Sequence, residues 1–162
     1  MTANNEDVSA DELARYVELQ RMALDLARRG ETEPLQAMIA AGLPVNLADE
    51  KGQCLLMLPS YNGNLETTRM LLEHGAESDR RNDRGQTPLG GVAFKGYKDI
   101  AAVLLDFGAD PMADNGGGMT PLSFARMFGR REVVNLLEAR GAQSTIRDHL
   151  IGLPARLMMR RA

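Results

Sequence analysis

"DRGQTPLGGVAFKGYKDIAAVLLDFGAD", residues 83–110, reads as two short helices separated by glycine, with one local contradiction. Thr87 and Pro88 suit a helix start, because a threonine side chain accepts a bond from an unpaired helical N–H and proline tolerates the first position. Gly90 and Gly91 follow at once, although each glycine costs about 0.5–1 kcal/mol relative to alanine inside a helix. A second segment from about Lys98 to Phe107 is richer in Ile, Val and Leu, and Gly96 and Gly108 stand where left-handed caps would end the two helices. Neither segment is long enough to be stable alone.

The surrounding sequence repeats this unit. Gly52, Gly85 and Gly118 are 33 apart, as are Gly30, Gly63, Gly96 and Gly129, and as are Gly42, Gly75, Gly108 and Gly141. Thr87-Pro88-Leu89 matches Thr120-Pro121-Leu122, and Leu71, Leu104 and Leu137 keep the same step. A helix pair of this length can bury its apolar face only against the neighbouring pair, which predicts an all-α solenoid.

On these residues the chain resembles the ankyrin repeat family, whose unit is a turn with Gly, then TPLH, paired alanines, Gly, a Val- and Leu-rich helix and a closing GA. It is also similar to small stand-alone ankyrin proteins of bacteria. The resemblance implies an ankyrin-repeat solenoid of stacked helix-turn-helix units with capping helices at both ends. Residues 49–81, 82–114 and 115–147 are full units, and residues 9–48 hold a long amino-terminal helix and a degenerate repeat. Residues 1–8 are expected to be a disordered tail and 148–162 a capping helix with Leu153, Leu157 and Met158 on one stripe. Ser9-Ala-Asp-Glu12 forms a capping-box pattern, starting a helix from about residue 10 to 29.

The sequence departs from the family pattern in three ways. The histidine after TPL is replaced by Met57, Gly90 and Ser123; TPL itself is Cys54-Leu55-Leu56 in the unit at 49–81; and Pro59 falls inside that unit's first helix. That helix should be distorted or start late, with Cys54 standing in for a cap threonine. Gly90 and Gly91 are expected to be scaffold, lying where a helix is clamped between neighbours and small side chains permit close approach.

Composition bounds the function. The 162 residues fit one domain, with no Trp, four Phe, three Tyr and ten Met, so Leu, Ala and Met must fill the core. The net charge is −3, yet residues 1–50 carry 10 acids and 4 bases and residues 51–162 carry 12 acids and 15 bases. Neither half has the basic excess of a dedicated nucleic-acid binder. The single cysteine fits a reducing compartment, the amino terminus has no basic start or apolar run, and no stretch has membrane-span length. A cytoplasmic monomer is expected.

Reactive groups do not converge. His74 and His149 lack partners at useful spacing, no Cys or His pairs suit a metal, and nothing beside Cys54 would lower its pKa. The glycine-rich "DNGGGMT", residues 114–120, lacks the lysine of a phosphate loop. The expectation is no enzyme, no cofactor and no metal.

The resemblance implies partner contacts on a concave side formed by turn tips and one edge of each first helix. The matching positions are Tyr61-Asn62, Phe94-Lys95 and Met127-Phe128, with Arg81, Arg84, Gln86 and Met119 on the tips. Tyr61, Phe94 and Met127 repeat every 33 residues, with Arg28 ahead of them. Such a stripe has the composition of an interface core; alternatively these side chains pack on the next repeat's turn. Phe128 is expected to turn inward. The leading expectation is a partner protein; the alternatives are a nucleic-acid or anionic ligand on Arg80, Arg81, Arg84 and Lys95, and an enzyme using Cys54 or a carboxylate. The charge balance argues against nucleic acid.

Overall fold

A computed structural model describes residues 9–144, and the tail at 1–8 and the capping segment at 148–162 lie outside the described residues. Eight helices follow in order among the described residues: α1 (Ala10–Arg29), α2 (Thr32–Ala40), α3 (Met57–Asn62), α4 (Leu65–Glu73), α5 (Pro88–Lys95), α6 (Lys98–Asp106), α7 (Pro121–Met127) and α8 (Arg131–Ala139). They pack as four pairs. α1, α3, α5 and α7 form one layer and α2, α4, α6 and α8 the other, each helix touching its pair partner and its counterparts in adjacent pairs. No strand forms among the described residues; the only extended pairing is an isolated bridge between Ala48 and Cys54.

The core is a set of columns that keep the 33-residue step. Leu56, Leu89 and Leu122 make one column and Leu71, Leu104 and Leu137 another, all essentially without solvent exposure. Each column crosses from one pair to the next, so no pair owns a complete core. The Ser9–Glu12 capping box closes with both hydrogen bonds formed. Of the long helix it starts, only Ala23, Leu26 and Ala27 are buried, so the carboxyl-terminal third of α1 covers the stack. Leu13, Tyr16, Val17 and Leu19 are exposed on the preceding turns.

Two polar ladders join the pairs along their edges. On one edge the side chains of Asn46, Asp79 and Met112 accept the backbone N–H groups of Glu77, Asp110 and Gln143, the last through a weakly accepting sulfur at 3.2 Å. On the other, the residue before each second helix reaches back to the previous pair. Asn64 donates to the Arg28 carbonyl at 3.3 Å, Tyr97 packs on Gly63, and Arg130 donates to the Phe94 carbonyl at 3.0 Å. Gly30, Gly63 and Gly96 serve both backbone and packing here. Their φ values of 75°, 85° and 87° are left-handed, and a β-carbon on them would meet Asn64, Tyr97 or Arg130 at 2.4, 3.2 and 2.7 Å.

The proline-bearing helix starts late. α5 and α7 begin at Pro88 and Pro121, whereas α3 begins at Met57, two residues beyond the matching position. Pro59 is thereby third in its helix, where its missing N–H removes no intrahelical bond. The expected cap role of Cys54 is corrected: Thr87 and Thr120 side chains accept the N–H groups of Gly90 and Ser123, but no side-chain cap bond forms at α3, and the Cys54 carbonyl accepts the Met57 N–H.

Asn115 answers for Gly90. Its side chain is buried, accepts the N–H of Thr87 at 2.7 Å and the Thr87 hydroxyl at 3.1 Å, and donates to the Ala113 carbonyl at 2.9 Å. A β-carbon on Gly90 would lie 2.0 Å from the Asn115 Oδ1. Asp49 and Asn82, at the matching tip positions, instead point outward and accept two N–H groups of their own turns. In the third tip Asp114 takes over that outward role, bonding the N–H groups of Gly116 and Gly118. The second glycine differs: a β-carbon on Gly91 would meet only the Tyr61 ring, at 3.2 Å.

These contacts separate the two glycines in stability. Gly90→Ala should displace Asn115 and cost about 1–3 kcal/mol, the range for orphaning buried polar groups. Gly91→Ala should be neutral or stabilising, because about 0.5–1 kcal/mol of helix propensity is set against a small shift of the Tyr61 ring. Urea titration of both variants checks the contrast. At the ladder, burial holds the Asp79 carboxyl above its ordinary pKa, opposed by the Asp110 N–H. A raised folded-state pKa means that ionisation disfavours the folded chain, so stability is lost as pH rises through the carboxylate range. Asp79→Asn, which copies Asn46, should therefore melt at the same or higher temperature at neutral pH, with the difference shrinking in acid.

Candidate functional site

The first-layer helices α3, α5 and α7 end in the side chains singled out by the 33-residue step. Tyr61 and Phe94 lie stacked, with centroids 6.4 Å apart and planes 5° from parallel. The line continues through Phe128, whose ring meets Phe94 edge-on at 4.5 Å and 73°. The expectation for Phe128 is corrected: it is 43 % exposed, because α7 ends at Met127 and leaves Phe128 as its cap on the rim. Phe94 is half-buried between its aromatic neighbours, while Tyr61 and Met127 are exposed. The aromatic side chains therefore pack on one another across units.

A groove of about 640 Å³ runs beside this line. Tyr61, Asn62, Arg84, Gln86, Phe94, Met127 and Phe128 border it. Lys95, Arg81 and Met119 do not. Lys95 places its ammonium 4.9 Å from the centroid of the Tyr61 ring, a cation–π contact at the rim. Arg81 is engaged by backbone, donating to the carbonyls of Gly85 and Asp114, and so ties the middle tip to the next. Met119 closes its own turn by accepting the Asn115 N–H and donating to Gly116. The basic tip is divided in the same way. Arg80 lies 3.7 Å from Glu77, while Arg84 has no carboxylate within ion-pair distance among the described residues.

The groove also uses residues that the first-helix edge alone does not indicate: Gln53, Gly90, Gly91, Asn115 and Phe124. The signal for Gly91 is its register, 33 residues from Leu58 and from Phe124. A second depression of about 510 Å³ lies between the helix connections, lined by groups including Lys98, Asp99 and Glu132, and gathers no reactive constellation.

Two comparisons of sequence bear on this architecture. Residues 22–115 match the family described as ankyrin repeats (3 copies). A curated protein of Pseudomonas aeruginosa, whose name provisionally assigns it to the ankyrin repeat proteins, is 44 % identical over 53 residues. That stretch is 33 % of this chain and 31 % of the relative, so the chain spans about a third of the length of the curated relative it matches.

Among the described residues no group of His, Cys, Asp and Glu could hold a metal ion, and no helix is long and apolar enough to cross a membrane. Cys54 is 1 % exposed, and burial pushes its thiol above the ordinary pKa, outweighing the lowering by nearby N–H groups and Arg80. A buried thiol held protonated is a poor nucleophile. Iodoacetamide at pH 8 should therefore label the native chain far more slowly than the urea-unfolded chain, as intact-mass spectrometry would show, and Cys54→Ser should leave partner binding unchanged.

Proposed function

Because the chain belongs to the ankyrin repeat family, we propose that it is a protein-binding module whose groove beside Tyr61, Phe94 and Phe128 docks a partner protein. Ankyrin repeats are generally protein–protein interaction modules, typically non-enzymatic. The observation that carries the reading for this chain is the aromatic line itself. Three rings from three units, with Met127 alongside, stand at the rim of one groove, and aromatic and methionine side chains are enriched at the cores of interfaces. Arg84 and the half-buried Phe94 have the character of anchors, since Arg and aromatic residues dominate binding energy. The partner-contact set is Tyr61, Asn62, Arg84, Gln86, Phe94, Met127 and Phe128, with Lys95 at the rim; Arg81 and Met119 support it by holding the tips. The chain acts as a monomer in the cytoplasm, with no catalytic step or cofactor of its own. The alternative anionic-ligand site on the basic tip is disfavoured by the use of Arg81 to bind carbonyls.

A photocrosslinking residue at position 61 or 127 should give a covalent adduct with one native protein, while the same residue at Glu66 on α4 should not. Adducts from position 66 alone would move the interface to the outer layer. Met127→Ala should weaken that partner about tenfold, or about 1.4 kcal/mol, with stability changing by about 0.5 kcal/mol or less as for other surface truncations. Phe94→Ala should both weaken binding and cost about 1–3 kcal/mol of stability, since two aromatic contacts at about 0.5–1.5 kcal/mol each are lost.

A further inference from the structure

The middle unit lacks two side chains where its neighbours have them. α3 carries Met57 and Leu58 and α7 carries Ser123 and Phe124 at the positions that α5 fills with Gly90 and Gly91. Asn115 occupies the first of these spaces. The second is covered on one side by the Tyr61 ring alone and opens into the groove, between Leu58 and Phe124. The groove is thus notched at its centre, with aromatic rings along one side.

Charge supplies the second observation. The chain carries 22 acids and 19 bases, yet among the described residues no carboxylate side chain lines this groove, whereas Arg28 and Arg84 do. Arg28 shares its charge with Asp25 at 2.6 Å, and Arg84 has no carboxylate within ion-pair distance among the described residues. Lys95 adds a third cation at the rim, above Tyr61. The charged side chains at the groove are therefore cationic in a chain that is negative overall.

We propose that the groove recognises an acidic peptide segment of its partner, seating one large apolar side chain over Gly91 while a neighbouring carboxylate pairs with Arg84. This rests on the reading of the groove as a protein-docking site and adds the chemistry of what docks. Arginine is suited to the carboxylate because its fork makes two parallel bonds. A nucleic-acid strand would stack on the same rings, but its affinity would need several phosphate contacts, and among the described residues Arg84 is the one lining cation without a carboxylate within ion-pair distance.

Short random peptides displayed on phage and selected on the full chain test this, with enriched sequences then measured as fluorescent synthetic peptides by anisotropy. Enriched peptides should carry Leu, Ile, Met, Phe or Trp with Asp or Glu within about three positions, the reach of adjacent pockets in an extended peptide. Gly91→Leu, which restores the bulk found in the adjacent units, should weaken them at least about tenfold, as should Arg84→Glu, while Arg84→Lys should lose less. If Gly91→Leu proves unstable, Gly91→Ala provides the same comparison with a smaller loss. Groove binders that lack acids, or that tolerate both Gly91→Leu and Gly91→Ala, would overturn the inference while leaving a protein-docking groove. Binding unaffected by these and by Tyr61→Ala and Met127→Ala would overturn both. Self-association of the chain abolished by Gly91→Leu, or tighter binding of single-stranded oligonucleotides than of the peptides, would assign the groove to another occupant and also reject the proposal.

Discussion

No helix pair in this chain can bury its apolar face by itself, and stacking against the next pair is the constraint from which the other features follow. Helices of six to nine residues, α1 excepted, are too short to persist in isolation. Their leucines complete a core only as columns that run from pair to pair. The 33-residue step must then be kept not only by apolar positions but by the groups that set spacing and tilt. The two polar ladders do this, one by side chains accepting the next unit's N–H, the other by side chains packed on or bonded to the preceding helix end. Stability in such a stack is approximately a sum over units and interfaces, so a local weakness affects mainly the interfaces beside it.

That additivity explains what the sequence made legible. Gly30, Gly63 and Gly96 mark helix ends because both their left-handed backbone and the side chain packed over them exclude a β-carbon, and each recurrence repeats the same geometry. Ser9 and Glu12 are legible because a capping box is local. Pro59 is legible for the same reason, and its effect is a late start to α3. The features that escape the period are nonlocal exchanges. Asn115 sits in the register of Asn82 but turns inward, because Asp114 supplies the turn's acceptor and Gly116 and Gly117 give the tip freedom to rearrange. The departure is visible at Gly90, but its compensation lies 25 residues away. Phe128 was harder still: the period aligned Met127 with Phe94, whereas the ring that touches Phe94 belongs to the next residue, placed by the end of α7. Arg81 resembled an unengaged cation in sequence because its partners are backbone carbonyls, which sequence patterns do not identify.

The place where local preference is most clearly violated is also the place where the surface is most distinctive. Two glycines in one short helix oppose helix formation, and chains that are otherwise consistent across levels tend to break such rules at functional or strained positions. Here the two violations have different causes. Gly90 is required by a buried amide that holds Thr87 and thereby the start of α5. Gly91 is required by no such bond and meets only an aromatic ring at the groove. Packing accounts for the first, and the shape of the groove is what remains to account for the second.

The groove crosses unit boundaries, which ties the docking proposed for it to the stacking constraint. Tyr61, Phe94 and Phe128 come from three successive pairs, so their ring contacts are themselves interfaces between units. The α5–α7 side of the groove depends on Asn115 within the stack and on the ladder contact in which Arg130 donates to the Phe94 carbonyl. An occupant that touches α3, α5 and α7 at once adds contacts across these same boundaries. By linkage its affinity for the stacked state would become stability of the stack, so the proposed docking surface and the interfaces that hold the chain together share the same side chains.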